Sequence, residues 1–576
     1  MRSTTPRLLA LLATVGIASV GGAGCSSCKN DSSSSSATDS GPAAAATPSS
    51  GASAAARPSA SAAIFTKHQL PNPSHGIAGF APSTNGFSFQ NYGNSKSYTN
   101  LTSLELRRMF GDQVCGSLEG DKCSLTPQAT EWVKHMNQGM GGGHCEGFAA
   151  LSLLMQRGQI APALFGAAHP FELKIDDNIP LQREIAYWFV TQAVLPMAAA
   201  ERKDLTPNEV VDKLRATLKT GEGAESYTIG IYEPGYKSGH ATTPYAIVDK
   251  GEGVVWILHY DNNYPGVEKH IEVNTAANTW AYTTASDPEA EASAYNGDAK
   301  TKTLTIAPSS IRTGPLVCSF CGDIDGDDAA EKGHGPKGSL AMREIMLDGD
   351  GDLLISDENG KRLGYVEGEL VSEIPGATFA PEKSGASEDE PFYFVPASGK
   401  LKVTLDGSRL KKDSKSDIAL VGPGYTLGVE NITLHAGQKD LLEFSADWSE
   451  IRYTTKQTET PTLVLGIETK GADYLFEVKV SGETAGQTAN LSIDTAKGTF
   501  KLKVHGSKAG ATYTVDMVKT EKGGDQKFTH HGSAVGDDQI ATFDYGAWKG
   551  NKTPLHVTVT DSKGAVISQD DQNDEE

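Results

Sequence analysis

At 576 residues the chain is too long for one hydrophobic core, so several domains are expected. Asp and Glu number 72 against 51 Lys and Arg, a formal charge of −21, which excludes a nucleic-acid binder working through a cationic face. A hydrophobic content of 38% suffices for globular domains.

Arg2 and Arg7 precede an apolar run over residues 8–20. That run is too short to span a bilayer and has the length of a signal-peptide core. It leads into Gly22-Ala23-Gly24-Cys25, which resembles a bacterial lipobox, with Gly22 where leucine is usual. The resemblance implies a lipoprotein signal peptide over residues 1–25 and lipidation of Cys25. The protein would then be anchored in the bacterial cell envelope, periplasmic or surface-exposed, and secreted if the lipobox is unused. Residues 26–63 are dominated by Ser, Ala and Pro and cannot bury enough apolar surface to offset ordering. They read as a disordered tether with an end-to-end distance of roughly 30 Å.

Of the seven cysteines, six remain to be placed after Cys25. Cys115 and Cys123 flank a short polar loop, where a disulfide suits an exported protein. Cys318 and Cys321 form a Cys-x-x-Cys, read as a local disulfide because nothing nearby completes a zinc site. Cys28 gives no signal. Cys145 is left without an obvious partner, as a nucleophile should be.

The Cys145 neighbourhood organises the chain. Gly141-Gly142-Gly143-His144-Cys145 runs into Phe148, Leu151, Leu154 and Met155 at helical spacing, so the thiol opens a helix. A helix N-terminus favours thiolate, the nucleophilic form of cysteine, and the glycines let another backbone approach the sulfur. Further helices are expected over 126–138 (Thr126 as cap, Pro127 first), 180–201 and 206–220.

Period 3.6 then gives way to period 2. Strands are expected over 226–232, 240–248 and 254–260, the last two joined by Gly251-Glu252-Gly253. Helices followed by an antiparallel sheet make an α+β domain. The hairpin returns Asp261 beside His240, so a carboxylate can fix the tautomer of an imidazole whose other nitrogen takes the Cys145 proton. His259 is a rival base inside the strand.

A cysteine at a helix start, a Gly-His entering a strand and Tyr-Asp-Asn-Asn closing the next resemble the papain-like cysteine peptidase superfamily, in particular its bacterial branch similar to double-glycine (bacteriocin-processing) peptidases. The resemblance spans about residues 100–285. It implies Cys145 as nucleophile, His240 as base, Asp261 as orienter with Asn262 or Asn263 as alternatives, and Gln138, seven positions before Cys145, in the oxyanion hole. No cofactor and no metal ion are called for.

Beyond residue 312 the chain reads as an acidic linker carrying the Cys-x-x-Cys (313–337), a β domain (338–410), a β-sandwich of immunoglobulin-like kind (411–569) and an acidic tail (570–576). The acidic runs at 323–328 and 348–352 do not satisfy an EF-hand, lacking its glycine at the sixth position and its acid at the twelfth. Hairpin strands are expected around Asn359-Gly360. Alternation at Phe476, Val478 and Val480, and at Phe500, Leu502 and Val504, marks inward faces.

The sequence thus points to an exported, membrane-tethered cysteine peptidase hydrolysing peptide or amide bonds, with β domains that bind a surface or protein ligand. The alternative is a non-catalytic surface lipoprotein using a degenerate papain-like domain for binding.

Overall fold

A computed structural model describes residues 75–76, 80–218, 225–284, 293–322, 342–385, 390–482, 486–507 and 509–575. The signal peptide, Cys25, the tether, the acidic run 323–328 and most of the expected linker lie outside them. Among the described residues no helix is long and apolar enough to cross a membrane. The chain from Gln69 to Glu576 forms one compact unit.

A helical region followed by antiparallel sheet matches the expected α+β order. The helix Ser103–Phe110 starts with a capping box between Thr102 and Glu105, and Pro207–Thr217 with one between Thr206 and Glu209. Pro127 opens the helix Pro127–Gly139, although Thr126 makes no side-chain cap bond. The segment expected as one helix over 180–201 is broken. Ile179–Val190 ends in a 3-10 turn at Thr191–Ala193, and Pro196 begins a short helix, Leu195–Ala200. Proline lacks the N–H that an uninterrupted helix would need there.

Eight strands form the first sheet, in the order Leu304–Pro308, Tyr227–Glu233, Lys237–Gly251, Val254–Tyr260, Glu268–Asn274, Thr279–Thr284 and Ser293–Asp298, with His75–Gly76 added on Lys237–Gly251. One face carries Ile229, Ile231, Ile247, Ile257 and Ile271 against Val210, Val211 and Leu214 of the helix Pro207–Thr217.

Apart from the two-stranded hairpin Cys115–Glu119 and Lys122–Leu125, the remaining strands build two larger sheets, of nine and eleven strands, around one continuous core. Three expectations are corrected here. Strands on both sides of residue 410 pair within each sheet, for example Leu401–Asp406 with Lys439–Phe444 and Met342–Asp348 with Ser414–Gly422. The separate domains 338–410 and 411–569 are therefore one sandwich. Its order is not a Greek key of immunoglobulin kind. From Ser414 on, hairpins go alternately to one sheet and the other, and each sheet grows outward in chain order. Nor is 570–576 wholly a free tail, because Val566–Gln572 forms an edge strand paired with Leu555–Thr560.

The nine-stranded sheet is buried on both faces along its strands Met342–Asp348, Phe392–Pro396 and Ser414–Gly422, but not at Gly524–Val535 on its far edge. Tyr393, Val395, Ile418 and Leu420 face the eleven-stranded sheet, while Phe392, Phe394, Ala419 and Val421 alternate with them to meet the helical region. Strands enclosed on both sides read as unbroken apolar runs, as Ile418–Val421 does. The helix Pro127–Gly139 packs on this second face, and Trp132 donates to Glu344 at 3.1 Å. The part of the expected linker around Cys318–Cys321 is docked there too. Phe320 is buried against Phe110 and Trp132 at 5.5 and 5.6 Å between ring centroids.

This shared core gives a measurable expectation. Phe394→Ala should destabilise the chain by about 3–5 kcal/mol and shift the urea midpoint equally whether unfolding is followed by tryptophan fluorescence or by Cys145 alkylation. Separate transitions for the two probes would mean that the helical region and the sandwich fold independently.

Candidate functional site

Cys145 is the first residue of the buried helix Cys145–Gln156. Of the described cysteines it alone is free, since Cys115 pairs with Cys123 and Cys318 with Cys321. Two bonds define the setting of its sulfur. The thiol donates to the Lys383 carbonyl at 2.8 Å, and the Ala241 N–H donates to the sulfur at 3.3 Å.

His240 lies in the strand Lys237–Gly251, paired on one side with Ile231. The strand begins three residues earlier than expected, so His240 is inside it rather than at its start. On its other side the register Thr243↔Tyr260 leaves Asp261 just past the end of Val254–Tyr260, diagonal to His240, within reach across a sheet face. The imidazole Nε2 and Asp261 Oδ1 are 2.8 Å apart, both side chains fully buried. Asp261 also accepts from the Asn263 N–H at 2.9 Å and the Tyr282 hydroxyl at 2.5 Å.

Burial alone would lower the His240 pKa, but the charge and hydrogen bond of Asp261, reinforced by Cys145, push it up to about 10. Burial would likewise raise Asp261, and the imidazolium overrides it, bringing the carboxyl to about 2. His240 Nδ1 has no well-aligned hydrogen bond to any protein atom although Cys145 contributes to the upward shift. The sulfur is therefore the ring's neighbour, with its proton directed at Lys383 instead.

Asp261, rather than either asparagine, holds the ring. Asn262 ties the segments of Cys145 and His240 together, donating to the carbonyls of Cys145 at 3.1 Å and Ala241 at 2.8 Å. The Asn263 backbone carbonyl accepts from Gln90 at 3.2 Å. Gln138 is not brought to the triad: its Nε2 reaches Asp417 of the sandwich at 3.4 Å. His259 is buried without a hydrogen-bond partner, edge-on to Tyr282, and burial brings its pKa down to about 3. It packs as a neutral ring.

Sequence reasoning missed several groups. Asn91 accepts from the His144 N–H at 2.6 Å, and its own buried Nδ2 has no partner. His144 is locked between the Tyr92 carbonyl at 2.6 Å and Asn100 at 3.0 Å. From the helix Cys145–Gln156, Glu146 forms a fully buried ion pair with Arg312. No local signal marks Asn91 or Arg312, since both are placed by contacts across the chain. Asp352, in the acidic run 348–352, is committed to Arg409 at 2.6 Å and Lys237 at 3.4 Å.

Asp261→Asn tests the electrostatics. Without the carboxylate, burial dominates and the His240 pKa should fall from about 10 to below its ordinary 6.5, read by NMR titration of the ring protons. A raised pKa on folding stabilises fully below the unfolded value and is lost as pH rises through the folded one. The stability gap between wild type and variant should therefore be widest between about pH 4 and 6, narrow as pH rises past 6.5 and shrink further towards pH 10. An unchanged ring pKa would remove Asp261 as its cause.

No protein-family model, curated protein or solved structure matches the chain.

Proposed function

We propose that the chain is a cysteine hydrolase of papain-like design, cutting peptide or amide bonds outside the cytoplasm. The carrying observation is the convergence of Cys145, at a helix N-terminus, with an imidazole fixed by Asp261 at 2.8 Å. In this reading the Cys145 sulfur attacks the substrate carbonyl carbon, and the tetrahedral intermediate collapses by breaking the C–N bond. The imidazolium gives its proton to the departing amine, and His240 then draws a proton from the water that hydrolyses the thioester.

The oxyanion needs donors aimed at it. The Cys145 N–H is one, and Asn91 Nδ2, buried and unpartnered beside the same helix start, is a better second than Gln138. Two disulfides support an oxidising compartment, in keeping with the lipobox-like leader and a lipid anchor at Cys25.

The full burial of Cys145 beneath residue 383 favours one rival, a degenerate module that binds without catalysis, alongside a sandwich that engages a surface or protein ligand. A thiol-directed activity probe separates the two. Selective labelling of Cys145, falling by roughly 10²–10⁴-fold in His240→Ala, supports the hydrolase. Labelling indifferent to His240, with no peptide cut from a library, supports the binding module.

A further inference from the structure

The connection between Thr378–Ala380 and Phe392–Pro396, paired strands at one edge of the nine-stranded sheet, leaves the sandwich and enters the site. Its residues Glu382, Lys383 and Ser384 are all buried. They lie between the segments that carry the nucleophile and the base. A Cβ on Gly143 would stand 2.5 Å from the Ser384 carbonyl, and one on Gly239 only 2.0 Å from the Glu382 carbonyl. Two bare positions, one shortly before Cys145 and one directly before His240, thus admit this backbone.

Main-chain groups hold it on both sides. The Lys383 N–H donates to Gln192 Oε1 at 2.8 Å, and the Gly385 N–H to the Gly239 carbonyl at 3.0 Å. Between these bonds the Lys383 carbonyl meets the Cys145 thiol at 2.8 Å. The Lys383 side chain, 1% exposed, runs into an acidic pocket where Nζ lies 3.1 Å from Glu201 Oε1. Thr305 at 2.7 Å and the Tyr232 hydroxyl at 3.2 Å donate to the same carboxylate oxygen.

A backbone clamped at two points, a carbonyl at the nucleophile and a side chain beside a carboxylate of opposite charge describe a bound peptide. We propose that Glu382–Ser384 is the chain's own occupant of its substrate cleft, and that the Glu201 pocket, now filled by Lys383, is the subsite that selects a lysine at the acyl side of the bond to be cut. The proposal rests on the hydrolase reading and adds to it a substrate class and a means of restraint. The occupant is not positioned for cleavage. Its carbonyl presents oxygen to the thiol, which donates to it, whereas attack needs the sulfur over the carbon and the oxygen among the oxyanion donors.

The test uses the full chain. Gly385 sits at φ +98, which proline cannot adopt, so Gly385→Pro removes the bond to Gly239 and dislodges the strap while leaving Glu201 intact. Circular dichroism checks the fold, and Gln192→Ala, which removes the acceptor of the Lys383 N–H, provides a second loosened form. Alkylation of Cys145 by iodoacetamide should be slow in the wild type and at least tenfold faster in both variants. A peptide library given to the Gly385→Pro chain should be cut after lysine at least tenfold faster than after leucine, and adding Glu201→Gln should abolish that preference.

Rapid alkylation of the wild type, unchanged in either variant, overturns the strap as an occupant. Cutting without lysine preference overturns the subsite and leaves the hydrolase standing. An opened chain that cuts nothing, and whose alkylation ignores His240→Ala, overturns the hydrolase reading itself.

Discussion

The enclosure of the nine-stranded sheet is the constraint from which the rest follows. One face is sealed by the eleven-stranded sheet and the other by the helices around Trp132, so the strands Phe392–Pro396 and Ser414–Gly422 are apolar on both sides. Burial at roughly 25 cal/mol per Å² of apolar surface makes such a sheet costly to expose on either face. The helical region and the sandwich are in consequence one body, and an edge hairpin of the sandwich is held where its connection reaches the thiol.

Within that body three oppositely charged pairs surround Cys145. Glu146 faces Arg312, Lys383 faces Glu201, and His240 faces Asp261, each pair almost wholly buried. Buried ion pairs contribute little net stability because desolvation offsets their attraction, yet losing one partner costs about 3–5 kcal/mol. Their effect is placement: the first fixes the helix that carries the nucleophile, the second the strap above it, the third the ring beside it. Asn262 links the first and third segments through two carbonyls.

The parts legible in the sequence are those set by local patterns. A glycine run before an amphipathic segment located Cys145 at a helix start, and alternation with a glycine turn placed His240 and Asp261 on one hairpin. The turn at Asn359-Gly360 and the inward set at Phe476, Val478 and Val480 follow from the same period-2 logic, and the spacings of Cys115 with Cys123 and Cys318 with Cys321 sufficed for both disulfides. What local patterns do not contain is which distant segment covers a surface. Alternation shows that a strand has two faces but not that both are covered, so the sandwich reads as two domains. Gln138 lies near the right spacing, yet the helix it ends is packed on the sandwich, and Asp417 takes its amide. Lys383, more than two hundred residues from Cys145, belongs to a segment with no motif of its own.

The Lys383–Glu201 pair also bears on how the cleft could open. Burial would raise the Glu201 pKa, but Lys383 and Lys203 bring it down to about 2 from an ordinary 4.5. A depressed carboxylate stabilises above its unfolded pKa and loses that contribution only as pH falls through the folded value. Mild acid therefore leaves the pair intact, and the strap is not an acid-released plug. It is also tethered at both ends, so its effective concentration at the cleft far exceeds that of a free peptide. On the proposed hydrolase reading, a substrate must displace an intramolecular ligand whose hydrogen bonds are already made.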